Sequence, residues 1–279
     1  MGIDHYENFP VGSVLVPKRL RAPIHVIYRF ARGADDIVDE GDAGPAERLQ
    51  GLAAWRDQLA RVAAGKPPAP EPEAGLFAAL GTVIERFGLP ESLFADLLDA
   101  FAQDVVKTRY TDIDDLLDYC RRSANPVGRL LLGLYRVDDE VSLRQSDAIC
   151  SALQLINFWQ DVAVDRDKSR VYIPQDTLHA AGFPPGDAVP AGCDDRLRRA
   201  LAFEVVRARR MMVDGAPLAV RLGGRLGWEL RLVVQGGLRI LERIEAVDYD
   251  VFARRPALGK VDWMLLAARA LAWRLPPVE

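Results

Sequence analysis

Apolar residues recur three and four positions apart along most of the chain. Ile24, Ile27, Tyr28 and Ala31 fall this way, as do Leu93, Leu97, Phe101 and Val105, and Leu153, Ile156 and Trp159 or Gln160. This is the spacing of one helix face, and strict alternation over a strand length is hard to find. Two Pro- and Gly-rich stretches, Gly65–Gly75 (GKPPAPEPEAG) and Gly182–Gly192 (GFPPGDAVPAG), read as surface loops. Proline removes a helix hydrogen bond and disfavours helix in the residue before it. Neither stretch is long enough to demand a domain boundary. Pro90-Glu91-Ser92 ahead of Leu93, and Ser123-Ala124-Asn125-Pro126, carry turn or cap chemistry. With no repeat of solenoid period, the pattern predicts eight or more helices in one all-α domain over residues 1–279, a helical bundle.

Two segments carry an acidic stripe. In Ile24–Glu40 (IHVIYRFARGADDIVDE), Asp35 and Asp39 are four apart and share a helix face with Arg32 and Tyr28. Stacked carboxylates repel, so a cation is expected there, either Arg32 or a bound metal. Alone, this pair reads as a solvated face. In Ala148–Asp165 (AICSALQLINFWQDVAVD), Gln154, Asn157, Asp161 and Asp165 form a second stripe at spacings of three, four and four. Everything around it is apolar, which inverts the usual surface helix and points the polar stripe into an interior, where it needs partners. Two such stripes favour a shared oxygen-lined site for a hard cation such as Mg2+, completed by substrate phosphates. With three histidines and no H-E-x-x-H, transition-metal chemistry is not expected.

Composition narrows the picture further. At 49% hydrophobic and 27% charged residues the chain can build a core, and a net charge of −4 leaves no footprint for nucleic acid. Cys120, Cys150 and Cys193 are widely spaced, so they read as reduced thiols of a cytoplasmic protein. No secretory leader or membrane span is visible, which leaves at most attachment to a membrane surface.

At these same residues the sequence resembles the squalene/phytoene synthase family. YRFARGADDIVDE (Tyr28–Glu40) looks like its first aspartate-rich motif and LQLINFWQDVAVDRDKSRVYIP (Leu153–Pro174) like its second. YCRRSANPVGRLL from Tyr119 and YDVFARRPALGK from Tyr249 match further segments, so the likeness runs from Phe9 to Lys260. It implies an isoprenoid-synthase-type helical bundle with a central cavity. It implies Mg2+ on Asp35, Asp36 and Asp39 and on Asn157, Asp161 and Asp165. Arg32, Arg170, Tyr172 and Arg255 would meet the diphosphate, and Tyr28, Tyr119 and Gln154 would line the reacting centre.

Two departures bear on the reaction. Condensing members often carry N-x-x-R-D in the second motif, where this chain has Gln160. The segment Phe9–Ser13 has one serine where two are common. Both trim phosphate-binding capacity, and the whole pattern resembles the hydroxysqualene synthase branch of bacterial hopanoid pathways. That branch implies a carbon–oxygen lyase that ionises presqualene diphosphate and quenches the cation with water, without NADPH. The alternatives are a head-to-head condensing synthase and, from another class, a non-catalytic helical partner of a squalene-pathway enzyme. Expected partners are the isoprenoid diphosphate, pathway enzymes and, for a C30 product, transient contact with a membrane surface.

The remaining features read as structural. The arginine-rich segment Asp195–Arg210 is a solvated helix face. Asp114-Asp115 caps a helix start. Trp55, Trp228, Trp263 and Trp273 are packing residues, and Cys120 and Cys150 are inert.

Overall fold

The structure, a computed structural model, describes residues 15–186 and 189–276. Among these residues it contains thirteen α-helices and no strand, only an isolated bridge between Arg109 and Val171. The helices are α1 (Lys18–Asp39), α2 (Pro45–Ala63), α3 (Ala74–Phe87), α4 (Glu91–Val106), α5 (Ile113–Ser123), α6 (Asn125–Leu134), α7 (Glu140–Gln160), α8 (Val162–Asp167), α9 (Gln175–Ala180), α10 (Asp195–Gly215), α11 (Leu218–Leu222), α12 (Gly224–Ala246) and α13 (Lys260–Ala272). The segment Phe9–Ser13 lies outside the described residues. Among them, no helix is long and apolar enough to cross a membrane.

Two compact units emerge among the described residues, one of residues 15–107 and 121–143, the other of 108–120 and 144–276. Each is discontinuous in sequence, which is why no linker marks a boundary. The proline-rich loops instead lie within units, Gly65–Gly75 between α2 and α3 and Gly182–Gly192 between α9 and α10.

In the first unit α1 buries Leu20, Ile24, Ile27, Ala31, Ala34 and Val38, the stripe its three-and-four spacing predicts. Phe30 sits at the middle of an aromatic core, with ring centroids 5.4 Å from Trp55, 6.1 Å from Phe77 and 5.4 Å from Phe94. The Phe77 and Phe94 contacts are edge-on, the arrangement that ring quadrupoles favour. With this face buried, Tyr28, Arg32, Asp35 and Asp36 are left half-buried at its margin.

In the second unit α10 and α12 pack closely along one face of α7, that of Gln145, Ile149, Leu153 and Ile156. A side chain at Gly215 of α10 would come within 2.6 Å of the Gln145 carbonyl and the Ile149 side chain. One at Gly237 of α12 would lie 2.7 Å from Met212 and 3.2 Å from Ile156. Only glycine lets both helices approach so closely. Two buried acids tie this unit together. Glu204 accepts from Thr177 Oγ1 at 2.7 Å and from Arg207 at 2.7 and 2.9 Å, and burial pushes its carboxyl above the usual range. Asp262 accepts from the Gly259 N–H at 2.6 Å, Arg239 at 2.7 Å and Arg243 at 2.6 Å. These donors, the backbone N–H foremost, pull its carboxyl down to about 2.

Candidate active site

The first acidic cluster closes α1. Asp35, Asp36 and Asp39 occupy its last five positions and Glu40 is the C-cap, with no basic residue in the last turn. Acids here sit at the negative end of the helix dipole, so this placement costs stability unless a cation arrives from elsewhere. Two do. Arg32, half-buried, reaches Asp35 at 3.1 Å, Asp36 at 2.5 Å and Glu40 at 2.9 Å. Arg48, from α2, donates to the carbonyl oxygens of Ile37 (3.1 Å), Val38, Gly41 (2.9 Å) and Ala43 (2.8 Å), satisfying groups the helix leaves open at its end. Arg32 thus takes the compensating part expected from the sequence. Arg48 carried no signal, because its partners are backbone atoms.

The second cluster lies where α7 ends. Gln154, Asn157, Asp161 and Asp165 are half-buried, while Ala152, Leu155, Ile156, Phe158, Trp159 and Val162 around them are buried. The inverted pattern is therefore real, except that Val164 is half exposed. The helix is not continuous through the stripe. It breaks at Asp161, with φ −103° and ψ 12°, and restarts as α8. The bonds Asp161 N–H to Asn157 C=O (3.0 Å) and Asp165 N–H to Asp161 C=O (2.8 Å) nonetheless carry the four-residue step across the break, so the polar groups stay in register.

Arg255 grips Asp161 with both arms, Nε to Oδ1 at 2.5 Å and Nη2 to Oδ2 at 3.1 Å. Gln160 explains how Arg255 gets there. Its side chain is buried and Nε2 donates to the Pro256 carbonyl at 2.6 Å, anchoring the segment that carries Arg255. With its amide turned onto backbone, Gln160 provides neither a charge nor a free donor at this position.

Tyr172, expected among diphosphate contacts, belongs to an aromatic cluster. Its ring stacks on Phe158 at 3.7 Å and 7°, with Tyr110 at 5.7 Å and Tyr119 at 6.2 Å. All four rings are buried. Backbone bonds from Val171 to Thr108 (2.8 Å) and from Gln175 to Tyr110 (2.9 Å) hold the strip carrying Tyr172 beside the one carrying Tyr110. Arg170 is set by its own N–H, which donates to the Asp165 carbonyl at 2.8 Å, and Phe158, Asp165, Arg170 and Tyr172 line one small cleft. Tyr110 and Phe158 were missed from sequence, since an aromatic at helical spacing reads as core.

The first cluster, with Tyr28 and Arg32, belongs to the first unit. Tyr119, Gln154, Asn157, Asp161, Asp165, Arg170, Tyr172 and Arg255 belong to the second. The donors are carboxylate and amide oxygens, the set a hard divalent ion takes. Among the described residues no group of three or more His, Cys, Asp or Glu is disposed to hold a metal unaided. A separate cavity of ≈ 450 Å³ in the first unit, floored by Ile37, Trp55 and Phe77, contains none of these residues.

Comparison with known proteins matches residues 4–262 to the squalene/phytoene synthase family. A hydroxysqualene synthase of Rhodopseudomonas palustris is 34% identical over 95% of this chain and 88% of its own. A phytoene synthase of Cereibacter sphaeroides is also 34% identical, over 95% and 76%. The crystal structure of squalene synthase HpnC from Alicyclobacillus acidocaldarius superposes with a TM-score of 0.80 at 38% identity, covering 88% of this chain and 90% of that one. The all-α architecture is thus the isoprenoid-synthase helical fold.

Proposed function

Since the chain belongs to the squalene/phytoene synthase family, we propose that it converts presqualene diphosphate and water to hydroxysqualene and diphosphate, with Mg2+ as cofactor, in squalene and hopanoid biosynthesis. The observation that carries this reading is the pair of acid clusters, one at the C-terminus of α1 and one at the break between α7 and α8, each gripped by an arginine. Carboxylates gathered this way repel one another and call for added positive charge.

Asp35, Asp36 and Asp39 in one cluster, and Asn157, Asp161 and Asp165 in the other, are each a set of oxygen donors that would bind Mg2+ together with phosphate oxygens. When bound, Mg2+ would neutralise charge on the departing diphosphate. Arg32 beside the first cluster, and Arg170 and Arg255 beside the second, would donate to phosphate oxygens, which makes diphosphate a better leaving group. The carbon–oxygen bond breaks with its electron pair leaving on diphosphate. Tyr119, tilted against the stacked pair of Phe158 and Tyr172, is the aromatic residue that would stabilise the cation that remains, and the Tyr172 hydroxyl would meet the diphosphate. Burial keeps stray water from it while it rearranges. One water then forms the new carbon–oxygen bond and releases a proton. Tyr28 and Gln154, both half-buried, are the polar groups assigned to orienting that water.

A second reading keeps the site and changes the substrate: head-to-head condensation of two prenyl diphosphates. It draws support from the equal identity to a phytoene synthase. Gln160, whose amide is turned onto Pro256 and supplies no cation, argues against it. Incubation with presqualene diphosphate and Mg2+ without NADPH separates the two. A C30 alcohol supports hydration, whereas no turnover there but consumption of farnesyl diphosphate alone supports condensation. Asp35→Ala and Asp161→Ala should each lower turnover by about a thousandfold or more. No turnover of either substrate by the wild type, with a partner enzyme's activity supported equally by the wild type and both variants, would leave the non-catalytic partner.

A further inference from the structure

The C-terminal helix α13 has two apolar sides where a surface helix needs one. Its inner side buries Leu266 and Ala270, with Asp262 beneath them. Its outer side should be polar. Instead Val261, Met264, Ala268 and Leu271 follow one another at spacings of three, four and three, and all are exposed, Val261 at 71%, Met264 at 69% and Leu271 at 69%. Trp263 flanks this stripe at 59% exposure. At the far end of the helix Arg231 is stacked between Trp228 and Trp273, 5.2 and 5.1 Å from their ring centroids.

Charge identifies the occupant. The whole protein is acidic, at −4. Residues 251–276 nevertheless carry five cations (Arg254, Arg255, Lys260, Arg269 and Arg274) and a single acid. That acid, Asp262, is buried and held by Arg239 and Arg243. Arg255 and Arg269 are paired with Asp161 and Glu242, which leaves Lys260 at the start of α13, Arg274 just past its end and Arg254 in the turn before it as exposed cations, so the two ends of the apolar stripe are basic. Apolar stripe, tryptophans and basic ends together match the surface of an anionic bilayer. A second copy fits poorly. A helix of this length offers a strip of roughly 200 Å², against ~800 Å² per partner in a stable dimer, and the basic ends would repel.

We propose that α13 is a membrane-docking helix that lies on an anionic lipid surface, Val261, Met264, Ala268 and Leu271 entering the acyl boundary while Lys260, Arg254 and Arg274 meet the headgroups. Docking through this face does not depend on which reaction the protein catalyses. The test is co-sedimentation of the full chain with phosphatidylcholine vesicles and with mixed phosphatidylcholine/phosphatidylglycerol vesicles. The wild type should pellet with the mixed vesicles only, and less at high salt. Met264→Asp with Leu271→Asp should weaken partitioning at least about tenfold while circular dichroism stays unchanged. Lys260→Glu with Arg274→Glu should weaken it at least about fivefold per charge removed. Trp263→Phe, which keeps the helix packing, should remove most of the vesicle-induced blue shift in tryptophan emission. The proposal is overturned if the wild type stays in the supernatant with both vesicles, or if the Asp variant binds as the wild type does. It is equally overturned if that variant dissolves a dimer seen by ultracentrifugation without any vesicle binding.

Discussion

Removing Arg255 should change two affinities in opposite directions. Its guanidinium holds Asp161 through two bonds, of 2.5 and 3.1 Å, and the two side chains are 39% and 26% exposed. Unit charges about 4 Å apart attract by ~4 kcal/mol at an effective dielectric near 20. Desolvation, side-chain ordering and solvent screening reduce pairs this exposed to ~1 kcal/mol or less. The forked geometry puts this pair at the top of that range. A metal ion approaching Asp161 has to displace the arginine, so Arg255→Ala should raise the affinity for Mg2+ alone by about fivefold. With pyrophosphate present the same variant lacks a donor to the phosphate oxygens. Charge-assisted bonds of that kind contribute about 1.5–3 kcal/mol, so Mg2+–pyrophosphate should bind roughly tenfold to a hundredfold more weakly. Isothermal titration with each ligand reads both numbers, and Arg255→Lys should fall between, since an ammonium cannot fork. Unchanged or weaker binding of Mg2+ alone in Arg255→Ala would refute the argument that arginine and metal compete for Asp161.

Four further outcomes follow from packing and charge. Phe158→Ala, which removes the ring stacked on Tyr172, should lower unfolding free energy by about 3–5 kcal/mol in urea titration. Gly215→Ala places a methyl against the Gln145 carbonyl and Ile149 and should cost about 1–3 kcal/mol by the same measurement. The Asp262 carboxyl is held down to about 2, below its unfolded value near 4. Its contribution is therefore complete above about pH 4 and lost as pH falls through 2. Melting temperatures over that window should drop more steeply for the wild type than for Asp262→Asn. Burial pushes the Cys120 thiol up to about 12, so iodoacetamide at pH 8 should label Cys120 only after unfolding.

The helix period exposed the architecture because nearly every helix buries one stripe, as α1 does with Leu20, Ile24, Ile27, Ala31, Ala34 and Val38. The second acidic stripe was legible for the opposite reason. Half-buried polar residues in an apolar helix have no surface explanation, and α10 and α12 do cover α7. What escaped depends on contacts distant in sequence. Asp161 ends a helix, yet the residues before and after it are good helix formers, and the grip of Arg255 lies 94 positions away. Nor could the sequence show that the amide of Gln160 is turned onto Pro256. Tyr110 stacks on Tyr172 because residues 108–111 run beside 171–176. Trp263, read as a packing residue, is exposed, since period alone cannot say which of two apolar sides of α13 meets the core.

Placement of one acid cluster at the C-terminus of α1 and the other at the break between α7 and α8 links stability to ligand binding. A carboxylate at the negative end of a helix dipole destabilises the helix wherever no cation is near. Without ligand, Arg32 and Arg255 meet that need. On the proposed function these are also the arginines that meet diphosphate, so substrate can engage them only as Mg2+ takes over the carboxylates. Neither exchange is favourable alone. Diphosphate that drew off an arginine would expose an acid cluster, and a metal that displaced an arginine would leave a guanidinium without its partner. Arriving together, metal and diphosphate provide each group with an opposite charge. The same side chains that hold the ends of α1 and α7 would thereby make binding of the two ligands mutually dependent, which is a coupling free energy between them.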